Sequence, residues 1–125
     1  MKNAVEIVMR SKNDVEYIGD VINAVRRQAY PGQVRFVHID SGSRDGTLEV
    51  IQRFAPWKLI CIRPEEYIPG RVLNRGMRET TGEWVVFLNS DAQPADARWL
   101  SELMAVARST PRLGAAFSRQ LPRSD

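Results

Sequence analysis

The sequence predicts an α/β protein built on a doubly wound, mostly parallel sheet with helices on both faces. Three observations carry that expectation. Short apolar runs recur at residues 5–9, 34–39, 57–62 and 84–88. Between them lie stretches whose apolar residues repeat at helical spacing. Parallel strands joined through helices admit essentially only right-handed crossovers, which distribute the helices over both faces of the sheet.

Residues 5–9 read as a buried strand. Asn13 or Asp14 is placed to cap the helix that follows, whose apolar positions Val15, Ile18, Val21, Ile22 and Val25 share one face. Tyr30-Pro31-Gly32 breaks it. Residues 34–39 make the second strand, after which Asp45 is placed to cap a helix through Leu48, Val50, Ile51 and Phe54 that Pro56 stops. Residues 57–62 make the third strand. A loop over 64–70 leads to a short helix around Val72, Leu73 and Met77, with Gly82 suited to its C-terminal cap. The fourth strand begins at Trp84 and runs to Asp91. Asp96 is placed to cap a last helix with Trp99, Leu100, Leu103, Met104, Val106 and Ala107 on one face, and residues 113–117 predict a fifth strand.

The 125 residues have the size of one domain, and 43% hydrophobic content suffices for one core. Lysine and arginine number 18 against 15 acids, and they are scattered, so charge lends no support to nucleic acid or a membrane surface as partner. The single cysteine, Cys61, excludes an internal disulfide, and its place in Leu59-Ile60-Cys61-Ile62 predicts a buried, reduced thiol. The first residues lack the apolar core of a signal peptide, and no run approaches the roughly 18 apolar residues of a membrane helix. The expectation is a cytoplasmic domain, with membrane association only through regions outside this sequence.

In a doubly wound sheet, ligands bind at the carboxyl ends of the strands. Three polar segments fall there: Arg10-Ser11-Lys12-Asn13, Asp40-Ser41-Gly42-Ser43 and Asn89-Ser90-Asp91. Asp40 and the turn after it can accept hydrogen bonds from a base or ribose, while the amides around Gly42 can face phosphate. The same turn also reads as a plain strand-to-helix connection. Asp91 is a hard oxygen ligand suited to Mg²⁺ or Mn²⁺ bridging a diphosphate, with Asn89 or Ser90 supporting it through water, and it reads equally as a strand-end acid. Arg71, Asn74 and Arg75 follow Gly70, where they can pair with phosphate oxygens, and they also fit a solvated helix face. His38 lies inside a strand and reads as a satisfied core histidine. Neither a dinucleotide fingerprint, a P-loop, a nucleophile elbow nor a paired-cysteine motif is present.

Four motifs in order resemble family 2 glycosyltransferases, in the nucleotide-sugar-binding half of the GT-A fold. They are Ile7-Val8-Met9-Arg10-Ser11-Lys12-Asn13, Asp40-Ser41-Gly42-Ser43-Arg44-Asp45-Gly46-Thr47, Gly70-Arg71-Val72-Leu73-Asn74-Arg75-Gly76, and Gly82-Glu83-Trp84 through Leu88-Asn89-Ser90-Asp91-Ala92-Gln93-Pro94. The resemblance implies that Arg10, Ser11 and Asn13 border base and ribose, that Asp40 contacts a uracil or thymine ring, and that Asp91 is the second acid of the Asp-x-Asp metal motif. Asn89 stands where the first acid usually is. Leu-Asn-Ser-Asp-Ala-x-Pro, with Arg119-Gln120-x-Pro122, resembles a branch that includes rhamnosyltransferases, which implies a UDP- or dTDP-linked donor and a sugar or lipid-linked acceptor in cell-envelope polysaccharide synthesis. It also implies a longer transferase of which residues 1–125 are the amino-terminal, donor-binding part, with the general base beyond Asp125. Two other readings remain open. A non-catalytic nucleotide-binding or interaction module would keep the fold without turnover, and a nucleotidyltransferase would prefer a nucleoside triphosphate.

Overall fold

The computed structural model describes residues 4–124. Its elements are β1 (Val5–Ser11), α1 (Ile18–Arg26), β2 (Val34–Asp40), α2 (Thr47–Arg53), β3 (Lys58–Cys61), a 3-10 turn (Pro64–Glu66), α3 (Pro69–Arg78), β4 (Trp84–Phe87) and α4 (Trp99–Ser109). The four strands form one parallel sheet in the order β3-β2-β1-β4. β1 is central because its apolar residues face both sides: all but Arg10 of its seven residues are buried.

Alternation along β1 assigns the two faces. Val5, Ile7 and Met9, with Phe36 of β2, pack against Ile18, Val21, Ile22 and Val25 of α1, Ile51 of α2, and Leu100 and Met104 of α4. Each such side chain contributes roughly 1.5–3 kcal/mol through burial. The opposite face carries α3, whose Gly76 sits against Val8 and Ile39, with Ile39, Val72 and Ile62 forming a smaller cluster. Glu6 on that face is fully buried, and it is satisfied by Arg35 at 2.7 Å and by the Thr81 amide.

Several expectations are corrected. Residues 113–117 form no strand, and Phe117 is 94% exposed. β4 ends at Phe87, so Asp91 sits in the loop beyond it. Cys61 is exposed because β3 is an edge strand. Neither Asn13 nor Asp14 caps α1 with its side chain; the carbonyl of Asp14 instead accepts from the Tyr17 and Ile18 amides. Val15 precedes that helix and is exposed, as is Val106 in α4. Gly82 lies beyond α3, whose C-cap is Glu79, and packs on Glu6, where an added Cβ would come within 2.9 Å of its carboxylate. Asp45 does not cap α2 either: the cap position falls on Gly46 at φ 98°, and Asp45, one residue earlier, accepts from the Thr47 amide at 3.0 Å and from the Thr47 hydroxyl.

Candidate donor-binding groove

From β1 the chain winds outward to β2 and β3, then returns to the other side of β1 for β4. The strand order therefore reverses between β1 and β4, and a crevice opens at their carboxyl ends, the usual ligand position in such a sheet. A groove of about 420 Å³ lies there. The β1 end supplies Arg10, Ser11, Lys12 and Asp14 to it, the β2 end Ser41, the segment after β3 Pro64 and Tyr67, and the β4 loop Asn89, Ser90 and Asp91.

Asp40 builds the groove from below. It is 1% exposed, and its two oxygens accept four hydrogen bonds: from Ser11 Oγ at 2.7 Å, Ser43 Oγ at 2.6 Å, and the amides of Ser43 at 2.9 Å and Gly42 at 3.2 Å. Those bonds fill the usual acceptor capacity of a carboxylate, so its charge is spent on shaping the loop. Gly42 is required there: its φ of +82° favours glycine, and a Cβ would lie 2.8 Å from the Pro64 ring. Asn13, itself at φ 53°, latches the same loop through its amide to Ser43 Oγ and its Oδ1 from the Arg44 amide. The Thr47 hydroxyl, followed by the Val15 and Thr47 amides, holds the Asp45 carboxyl below its ordinary value.

Cross-links then join the loops. Lys12 Nζ donates to the Gly42 carbonyl at 2.9 Å. Asp14 Oδ2 accepts from the Lys12 amide at 2.9 Å and from Ser90 Oγ at 2.6 Å, tying β1 to the β4 loop. Arg10 spans the groove, with Nη1 on the Tyr67 hydroxyl at 2.8 Å and Nη2 on Asn89 Oδ1 at 3.2 Å. Asp91 differs from Asp40: it is exposed, and among the described residues its carboxylate accepts no hydrogen bond, while its carbonyl accepts from Arg123.

Of the residues singled out in the sequence, Arg10, Ser11, Ser41, Asn89, Ser90 and Asp91 converge on the groove. Asp40, Asn13 and Gly42 stand behind its wall. Arg71 and Asn74 are exposed on α3 and do not line it. Lys12, part of the polar segment read at the β1 end, lines it too, whereas Asp14, Pro64 and Tyr67 were missed as lining residues. Asp14 reads as a cap in the sequence, and Tyr67 lies in a loop without periodicity. His38 is a core residue but not a satisfied one: it stacks on Phe36 at 5.2 Å, and neither ring nitrogen has a hydrogen-bond partner. Burial, opposed by the charge of Asp40, lowers its pKa to about 4.

Among the described residues no three acids, histidines or cysteines gather as a protein-only metal site. The donor set fits Mg²⁺ or Mn²⁺ in another way, since these ions are commonly held by one or two carboxylates, water and substrate phosphates, and Asp91 offers one free carboxylate in the groove.

The description "Glycosyl transferase family 2" matches residues 6–125, and the chain belongs to that family. The fold is of the GT-A type. Glycosyltransferase AglE of Haloferax volcanii is 28% identical over 110 residues, covering 85% of this chain and 36% of that protein. A PGL/p-HBAD biosynthesis glycosyltransferase of Mycobacterium bovis is 29% identical over 102 residues, covering 79% of this chain and 40% of its own length. Among solved structures, Staphylococcus aureus TarS 1-349 in complex with UDP aligns with a TM-score of 0.75 at 21% identity, over 96% of this chain and 38% of that one. The mannosyltransferase PcManGT of Pyrobaculum calidifontis, in complex with GDP-Man and Mn²⁺, aligns at 0.69 and 26% identity over 80% of this chain and 31% of that one. The chain thus spans about two fifths or less of the relatives it matches. Among the described residues, no helix is long and apolar enough to cross a membrane.

Proposed function

We propose that residues 1–125 form a donor-binding domain that holds a UDP- or dTDP-linked sugar for transfer to a sugar or lipid-linked acceptor hydroxyl in cell-envelope polysaccharide synthesis. One observation carries this reading: an unengaged carboxylate, Asp91, shares the switch-point groove with the polar loop that Asp40 shapes. TarS in complex with UDP and PcManGT with GDP-Man and Mn²⁺ support it as relatives in fold.

Asp91 would hold Mg²⁺ or Mn²⁺ on the diphosphate. When bound, the metal neutralises charge developing on the leaving nucleotide. Ser11 and Ser41 border base and ribose, and Asp40 acts from behind the wall by holding Ser11 and the Gly42 and Ser43 amides in place. Arg71 and Asn74, at the start of α3, reach phosphate oxygens only if the donor extends past the groove. The general base that deprotonates the acceptor lies outside the groove described here, because of its two acids Asp14 is engaged by Ser90 and Lys12 and Asp91 is assigned to the metal. That scarcity of acids favours a second reading, a nucleotide-binding module without turnover.

Isothermal titration with UDP and dTDP, with and without Mn²⁺, tests the proposal. Diphosphate binding should strengthen with Mn²⁺, and Asp91→Ala should remove that dependence at a loss of at least about tenfold. A folded chain that binds neither nucleotide at millimolar concentration refutes the donor-groove reading, and a preference for UTP over UDP favours a nucleotidyltransferase. Sugar transfer by a longer chain carrying these residues separates the enzyme from the module.

A further inference from the structure

We propose that Arg123 is the positioning residue for Asp91: a strap formed by residues 110–124 carries its guanidinium to the β4 loop and fixes the metal-holding aspartate there, a role that rests on the donor-groove reading above. β4 ends at Phe87, and the Leu88 amide still donates to the Val8 carbonyl at 3.2 Å. Asp91 lies past both, in the loop. A lone carboxylate serves a cation well only if its own backbone is fixed, because a ligand oxygen must stay within about 0.5 Å of its place. The loop is tied residue by residue. Asn89 accepts from Arg10, Ser90 donates to Asp14, and the Ala92 amide donates to the Asn89 carbonyl at 3.0 Å. At Asp91 the tie is the Arg123 guanidinium, which donates to the carbonyl, and among the described residues no other hydrogen bond reaches that residue.

Arg123 is itself held. Its Cζ lies 4.1 Å from the centroid of the Tyr17 ring, at the start of α1, well within the range of a cation–π contact. A planar guanidinium rests its face on an aromatic ring while its edge donates, which the ammonium of lysine does less well. Because its contacts go to the ring and the carbonyl, the guanidinium makes no ion pair with the Asp91 carboxylate, which stays free for a cation. The chain reaches this point without regular structure: α4 ends at Ser109, and the residues described after it form neither helix nor strand. It is pinned on the way, where the Trp99 indole Nε1 donates to Ser118 Oγ at 3.0 Å. Arg119-Gln120-x-Pro122, a motif with no part in the groove, leads directly into Arg123, and the fixed φ of Pro122 stiffens the backbone there.

Titration of the parent, Arg123→Ala, Arg123→Lys, Asp91→Ala and the double variant with UDP, with and without Mn²⁺, tests this. In Arg123→Ala the gain in UDP affinity that Mn²⁺ brings should fall about tenfold, and Arg123→Lys, which keeps a donor for the carbonyl, should recover part of it. In the Asp91→Ala background, Arg123→Ala should cause no further loss of that gain, since it acts through Asp91. Hydrogen exchange at the Ala92 amide, measured without nucleotide, should speed up about fivefold or more in Arg123→Ala, with the β1 amides unchanged. An Arg123→Ala chain that keeps the parent's Mn²⁺ gain, or a loss that recurs in full without Asp91, overturns the positioning role and leaves the donor groove intact. An unchanged exchange rate at Ala92 overturns the strap. A parent chain that binds no UDP, or binds it without regard to Mn²⁺, overturns the donor reading of Asp91 and the role of Arg123 with it.

Discussion

Two aspartates at strand ends look alike in the sequence and do different things in the fold. Asp40 is buried and accepts four hydrogen bonds, so Asp40→Ala strands the Ser11 hydroxyl and the Gly42 and Ser43 amides. At about 1–3 kcal/mol for a stranded buried donor, the variant should lose roughly 3 kcal/mol of stability in urea unfolding. Asp91→Ala, at an exposed position, should stay within about 0.5 kcal/mol of the parent in the same measurement. His38 is a third residue whose environment decides its behaviour. With no partner on either nitrogen, His38→Leu should be more stable at pH 7 by about 1 kcal/mol. Its folded pKa of about 4 lies below the ordinary 6.5, so the unfolded chain binds more protons between those values. That contribution to stability is complete above pH 6.5 and lost as pH falls towards 4, amounting to about 3 kcal/mol. Urea midpoints at pH 7 and pH 4.5 should therefore separate the parent from His38→Leu by an amount that grows on acidification. A constant separation would exclude His38 as the titrating group.

Among the elements, α3 shows how packing overrides propensity. Alanine is favoured over glycine in a helix by about 1 kcal/mol, yet a Cβ on Gly76 would stand 2.4 Å from Val8 Cγ1. Val8 is β-branched and sits on the central strand, so it cannot turn aside cheaply. Gly76→Ala should accordingly lower stability by about 1–2 kcal/mol net, whereas Gly70→Ala in the same helix meets nothing within 4 Å and should raise it by about 0.5 kcal/mol. Thermal melts of the two variants should move in opposite directions. The helix ends follow the same logic. Asp45 bonds the Thr47 amide from the residue before the cap position, which Gly46 takes, and the expected cap of α1, Asp14, is drawn instead to Ser90, 76 residues away. A cap is a local rule, and a distant hydroxyl outcompetes it when the fold brings one within reach.

At the scale of the whole molecule, function follows from where the winding of the sheet reverses. Arg10 and Asn89, which bond each other across the groove, are 79 residues apart, and only the return of the chain from β3 to β4 on the far side of β1 makes them neighbours. The alternation of apolar runs with helical periodicity determined the α/β class, the four strands and the helices between them, because each depends on burial patterns a few residues long. The motifs likewise brought seven of the groove's residues to one edge. The apolar character of 113–117 suggested a strand that the sheet does not accept, since hydropathy says nothing of whether an edge is offered. Periodicity was equally silent on Tyr67, which lies in a loop, on the exposure of Cys61 at a sheet edge, and on the burial of Asp40 beneath its own turn. The sequence by itself determined which elements form and which loops carry polar chemistry. The tertiary structure alone decided which of two similar carboxylates is free to meet a ligand, because hydrogen-bond satisfaction depends on groups that only the folded chain brings together.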